Sequence, residues 1–273
     1  MPGDWIFLLV LWSGSVLAIA VGARPVTQNQ LTQWSVRFNV LVDDSTPSTL
    51  ESQLRRARAI RCAAIVVGIN VGALPMYMNV IDVERAGSFS NDLTAQAPFA
   101  AAALGSVIAE LSLVHRPSGK RSAALVARRW TDYIDTMWII TIIACLPISL
   151  FVAFVATTGS NPHTSWLWVG PAASVLAILA MSLGVHVVVN RPANSLGEPH
   201  RRIDDALRAD GAHHIVGAAL ALAGVATCYT LMAAINGPLG LLAGLLTYVV
   251  LGCWYGIART ERWNVDQARL QHA

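Results

Sequence analysis

Lysine is all but missing from this chain: of its nineteen basic residues only Lys120 is not arginine. Charge of any kind is scarce as well, 13% of 273 residues against roughly a quarter in soluble domains. With 55% hydrophobic residues and a mean hydropathy of +0.52, that scarcity excludes an ordinary soluble domain and assigns the chain to lipid. The formal net charge of +3 does not indicate a nucleic-acid partner. Such a partner needs a concentrated basic face, whereas here the basic residues sit in short loops beside apolar runs.

Several motifs are missing too. There is no Walker A, HExxH, GxSxG or GxGxxG element, so an ATPase subunit, a zincin and a soluble-type hydrolase or dehydrogenase have no support, and no cofactor is implied. Seven apolar runs invite comparison with retinal proteins, but these need a lysine in the last span for a Schiff base, and there is none. The four cysteines, Cys62, Cys145, Cys228 and Cys253, fall in or beside apolar runs without CxxC spacing. They read as small hydrophobes rather than disulfide or zinc partners. His213-His214 point about 100° apart on a helix and do not easily face one ion, so no metal site is expected either.

What remains is a series of apolar runs of spanning length. The first, Trp5 to Ala23, matches one membrane helix. Ala20-Val21-Gly22-Ala23 resembles a cleavage site, but the preceding region carries Asp4 instead of a basic residue, so the expectation is an uncleaved helix with its N-terminus outside. The segment 24–61 is an amphipathic, basic linker. Its apolar residues fit a strand (Trp34, Val36, Phe38, Val40, Val42) or one helical face (Leu31, Trp34, Phe38, Val42). Ser48-Thr49-Leu50-Glu51 has capping-box spacing and predicts a helix running straight into the second span.

That span covers Cys62 to about Val80, with Asn70 near its middle, Gly68 and Gly72 in GxxxG spacing and Pro75 as a kink. The third extends from Pro98 to Val114 and the fourth from Thr136 to Ala156, with Pro147 inside it. A turn at 157–164 separates the fourth from the fifth, Trp166 to Val189. A polar linker containing Arg201, Arg202, Asp204, Asp205 and Asp210 leads to a sixth span from Ile215. Asn236-Gly237-Pro238 splits this from a seventh ending near Ala258, and 259–273 forms a short polar tail. The expected fold is an all-α polytopic membrane protein, a single membrane-embedded domain over 1–273 with about seven transmembrane helices. In the seventh, Gly240, Gly244, Gly252 and Gly256 allow close helix contact.

Every basic residue except Arg85 falls in loops on one side of such a bundle. The positive-inside rule then places the N-terminus out and the C-terminus in. The arginine bias matches GC-rich bacterial genomes, so the expected location is a bacterial inner membrane. Arg24-Pro25, Arg116-Pro117 and Arg191-Pro192 end three spans. Arg55-Arg56, Arg128-Arg129 and Arg201-Arg202 precede three others. A two-helix unit used three times explains this pattern, and so does inner-side anchoring combined with helix-stopping prolines. Asp132 and Asp205 each follow the first arginine of a pair by four residues, spacing that suits an ion pair on one helix face.

Glu110 is the one acid inside an expected span, where insertion costs on the order of 3 kcal/mol and the group faces a bundle interior or a water-filled cavity. His186 stands at a comparable depth before Arg191. Two functions suit these features. One is a transporter or permease-like component moving a small solute or ion along a polar path near Glu110 and His186, with Asn70 in support. The other is a scaffold or accessory subunit that binds a membrane-protein partner, or another copy of itself, through small-residue faces and basic linkers. A lipid-modifying enzyme is weaker, since no pair of acids or metal-type cluster lies near an interface. The topology has a direct test: a reporter fused after Ala273 or within 118–125 is expected on the cytoplasmic side, and one within 87–90 or 160–164 outside. An external C-terminus overturns the orientation.

Overall fold

A computed structural model describes residues 2–40, 47–77, 89–113, 128–158, 166–191, 198–235 and 238–258. Among these residues every regular element is helical. There are eight α-helices: α1 (Pro2–Ala23), α2 (Gln28–Arg37), α3 (Pro47–Tyr77), α4 (Phe89–Leu113), α5 (Thr136–Thr158), α6 (Val169–Asn190), α7 (Glu198–Ala234) and α8 (Pro238–Ile257). Single 3-10 turns precede α5 and α6 at Trp130–Asp132 and Trp166–Trp168.

Among the described residues three helices are long and apolar enough to cross a membrane: α5, α6 and the Arg202–Ala234 part of α7. Shorter apolar stretches occupy α1, α4 and α8. Outward faces carry Ile140, Ile143, Phe151 and Phe154 on α5 and Val175, Leu179 and Leu183 on α6, all exposed. A continuous apolar exterior of this kind is stable against lipid and unfavourable in water. The protein is therefore consistent with a helical membrane protein.

Helix α7 is the centre. It packs against α4, α5, α6 and α8, while α1 packs on α3 and α3 on α4. The membrane-length window of α7 is 83% buried, against 22% for α5 and 39% for α6. Its composition explains the position: Ala206, Ala209, Ala212, Ala219, Ala221, Ala223 and Ala226 are fully buried, and short side chains around the whole circumference let neighbours approach from every side. Along the α7–α8 contact the glycines belong to α7 and the bulk to α8, with Gly217 against Trp254 and Gly224 against Val250.

The centrality of α7 corrects the expected polar linker over 201–210. Those residues lie inside α7, and Asp205, Arg208 and Asp210 are buried. A span counted from the last charge starts too late when the charges neutralise one another inside the protein, because the boundary rule assumes that each charge seeks water. A second correction concerns α8. Gly252 has open space before it among the described residues, and Gly244 meets the Met232 side chain at 3.4 Å. The tight contacts of α8 are made instead by Val250 and Trp254 against the glycines of α7.

In the first linker the helical alternative holds. Thr27 caps α2 in a capping box with Gln30, and Leu31, Trp34 and Phe38 are buried on one face while Val36 is exposed. Asn39, at φ 48°, ends the helix in the left-handed region that asparagine tolerates. Helix α3 begins at Pro47, a residue suited to the first helical position, so Ser48 lies within the first turn and not at the cap. From there α3 continues unbroken past Arg61, as the sequence implies. Val42, Arg85, Arg116-Pro117, Pro192, most of the two expected turns and the tail 259–273 lie outside the described residues.

Helices α3 and α4 meet through two small-residue contacts. A Cβ on Gly68 would stand 2.6 Å from the carbonyl oxygen of Ala97 and 2.9 Å from the Cα of Pro98, and one on Gly105 would strike the Cβ of Ala64. Backbone cannot give way as a flexible side chain can. Gly68→Val is therefore expected to lower stability by about 1–3 kcal/mol, read as a drop in melting temperature in detergent. Gly252→Ala, which meets nothing, should stay within about 0.5 kcal/mol of the parent.

A buried chain of charges and the cavity beside it

Arg208 is fully buried in the first half of α7. Its Nη1 donates to the carbonyls of Val188, Val189 and Arg191 at 3.2, 2.9 and 2.7 Å. Those are the final acceptors of α6, which have no partner within their own helix and carry the negative end of its dipole. The Nε and Nη2 groups turn back one helical turn and donate to Oδ2 of Asp204 at 3.1 and 2.5 Å. One guanidinium thus closes α6 and fastens it to α7, using the planar fork that lysine lacks.

From Arg208 the charges alternate in sign in both directions. Asp204 also accepts from Nη2 of Arg191 at 3.1 Å. Nη1 of Arg191 stands 3.7 Å from Oε2 of Glu110, and Oε1 of Glu110 accepts from Nη2 of Arg61 at 2.9 Å. On the other side Asp205 lies 3.7 Å from Nε of Arg208 and 3.4 Å from Nη2 of Arg128. It also accepts from the Tyr133 hydroxyl at 3.4 Å. Burial, reinforced by the Asp205 charge, pushes the Tyr133 phenol up to about 12, so it stays a neutral donor through the physiological range. The chain Arg61–Glu110–Arg191–Asp204–Arg208–Asp205–Arg128 therefore joins α3, α4, the end of α6, α7 and the segment before α5. Gly211 makes room for it, since a Cβ there would lie 2.6 Å from Oε2 of Glu110.

The sequence-expected residues are distributed differently. Glu110 is buried and its partners are arginines, not His186. His186 lies on the outward stripe of α6 with Leu179 and Leu183, its Nδ1 3.1 Å from Nδ2 of Asn190. The two are not brought together: Glu110 is buried among arginines while His186 is exposed. Asn70, also exposed, donates to the Val66 carbonyl at 2.8 Å and to Ser15 Oγ at 3.4 Å, tying α3 to α1. Asp132 does not pair with Arg128 among the described contacts; it accepts from the backbone N–H of Arg129 at 2.9 Å, while Arg128 reaches Asp205.

The sequence marks Arg191 only as the end of a span and does not mark Arg208. The available signal was the i,i+4 spacing of Asp204 and Arg208. It reads as an ordinary surface pair until the helix around it is known to be buried.

Beside Glu110 and Arg61 lies a cavity of about 340 Å³, bounded by α2, α3, α4, α7 and α8. Trp34 and Gln30 come from α2, Arg58 and Arg61 from α3, Ser106 from α4, Asp210 and His214 from α7 and Trp254 from α8. Asp210 lies 3.7 Å from Nη1 of Arg37 and 4.0 Å from Nδ1 of His214. His213, its sequence neighbour, lines a separate cleft with residues 131–138. All four cysteines are free, and no cluster of three metal-ligating side chains occurs among the described residues.

The arrangement belongs to an all-helical chain of membrane-protein character with a polar, charge-paired interior at one end of its bundle. No family model, curated protein or solved structure matches the chain, so its particular role rests on this geometry.

Arg208→Met removes one charge and leaves Asp204 and the three α6 carbonyls without it. Breaking a buried pair by deleting one partner costs about 3–5 kcal/mol, so the variant is expected to melt far below the parent or fail to insert stably. Normal melting of Arg208→Met would show that the chain is not structural.

Proposed function

We propose that the protein is a permease-like membrane protein that moves a small solute or ion through its bundle, with all seven apolar runs as spans and Glu110 at the polar constriction. One observation carries this reading. A buried carboxylate is shared by arginines from two different helices, Arg61 at 2.9 Å and Arg191 at 3.7 Å, beside a cavity that Arg61 also lines. Oε2 of Glu110 has no hydrogen-bond partner among the described residues. A shared acid can shift from one arginine to the other when a helix moves, which is the kind of discrete rearrangement a gate requires. Ionisable groups within spans commonly mark such paths. The path runs by Glu110 alone of the three expected residues, since His186 and Asn70 face outward.

A second reading, a scaffold that binds another membrane protein, is favoured by the open face of α8. There Gly252 meets nothing among the described residues, and Leu245, Tyr248 and Val249 are exposed.

Glu110→Gln separates the two. The amide keeps an acceptor for Arg61 and removes the titratable charge, while Arg191 retains Asp204. In proteoliposomes holding a pH-sensitive dye, the variant is expected to lose proton-coupled flux by at least about tenfold, or about 1.4 kcal/mol in barrier, with its melting temperature little changed. Undiminished flux with an equal or higher melting temperature would remove Glu110 from the mechanism and favour the scaffold.

A further inference from the structure

The cavity beneath α2 has a chemistry that can be read further. We propose that it binds a small organic anion with an apolar body, a carboxylate or phosphate head joined to a short hydrocarbon or ring. The proposal rests on reading this cavity as the mouth of the permease path and adds the class of solute.

Its volume, about 340 Å³, lies at the lower end of small-molecule sites, which run from roughly 300 to 1,000 Å³. Much of the wall is apolar, with Leu54, Ile65, Ala102 and Ala218 among the lining residues, so a fully hydrated ion such as free phosphate gains little there. Gln30, Ser106, Asp210 and His214 supply acceptors to the wall, but two of its donors are left over. Trp34 is buried, and among the described residues its indole N–H has no acceptor; Nε of Arg61 has none either. An indole and a guanidinium can only donate, so the group that satisfies them must be an acceptor.

The charge balance gives the sign. Each acid near the cavity already has a cation: Asp210 has Arg37 at 3.7 Å, and Glu110 has Arg61 and Arg191. Arg58 has no carboxylate partner among the described residues; its Nη2 donates to the neutral Oε1 of Gln30 at 3.3 Å. With the histidines neutral, Arg58 is the lining cation without an acid of its own among the described residues. A wider groove of about 760 Å³ shares Gln30, Trp34, Arg58 and His214 with the cavity, so the way in passes Arg58. A cation at the threshold of an apolar chamber selects for a negative head on an apolar body and against the corresponding amine.

The test uses the full chain in phosphatidylcholine nanodiscs, with octanoate, octyltrimethylammonium and inorganic phosphate as probes and 8-bromooctanoate as a tryptophan quencher. Octanoate is expected to raise the melting temperature, and 8-bromooctanoate to quench fluorescence saturably, less so in Trp34→Phe. Octyltrimethylammonium and phosphate should do neither at equal concentration. Arg58→Gln should weaken octanoate about tenfold or more, as expected for loss of a charged hydrogen bond. Arg56→Gln, exposed on the same helix, should change nothing.

A second set of nanodiscs containing phosphatidylglycerol distinguishes the source of the anion. Arg58-dependent protection by that lipid, with loss of octanoate quenching, supports the proposal with a lipid headgroup as the occupant. An equal response to the cationic probe, a response to phosphate alone, or unchanged octanoate affinity in Arg58→Gln overturns it. Octanoate binding without flux sinks the permease reading and leaves the ligand class standing, whereas flux without octanoate binding does the reverse.

Discussion

A guanidinium with no exposed surface can stay charged inside a helical bundle only if its hydrogens find acceptors and its charge finds a carboxylate. Arg208 meets both conditions through the three last carbonyls of α6 and the side chain of Asp204. Everything around the centre follows from that. Without the carbonyls of α6 the desolvation of the ion would cost several kcal/mol, and α7 could not lie in the middle of the bundle along its charged half. With them, the polar half of α7 becomes as buried as the apolar half, and the alanine-rich remainder accepts α4, α5, α6 and α8 at close range.

Seen this way, the alternating chain from Arg61 to Arg128 is one electrostatic unit. Asp204 holds Arg191 and Arg208, and Glu110 holds Arg61 and shares Arg191 with Asp204. Each acid therefore sits between cations from different helices, and each helix is located by partners on its neighbours. Glu110 is the acid that links α3 to the end of α6. Its link to Arg191 is longer than its link to Arg61, and Arg191 has Asp204 in reserve.

The amphipathic helix α2 completes the arrangement from the side. Its apolar face contributes Leu31 and Trp34 to the core, and Arg37 reaches Asp210. Trp34 is both core and cavity wall. A segment that sequence marks as an amphipathic linker thus roofs a chamber, because one face of a short helix is wide enough to be buried on one flank and to line a void on the other.

The sequence alone determined the class of architecture. Apolar runs separated by turn residues, with few charges, allow little besides membrane helices, since backbone groups in lipid must be satisfied within the helix. It also located the runs that became α1 and α4 to α6, the continuity of α3 through its arginines, the apolar face of α2 and Glu110 as a buried acid. Tertiary structure alone decided which helix is central, that 201–210 is core and not linker, and that Glu110 meets arginines from α3 and α6 while His186 faces out. The reason is that hydropathy scores each residue by itself, whereas burial of a charge depends on what stands opposite. Arg208 and Asp204 are polar one at a time and compatible with a core only as a pair, and that pair needs the end of α6, which no local pattern around residue 208 contains.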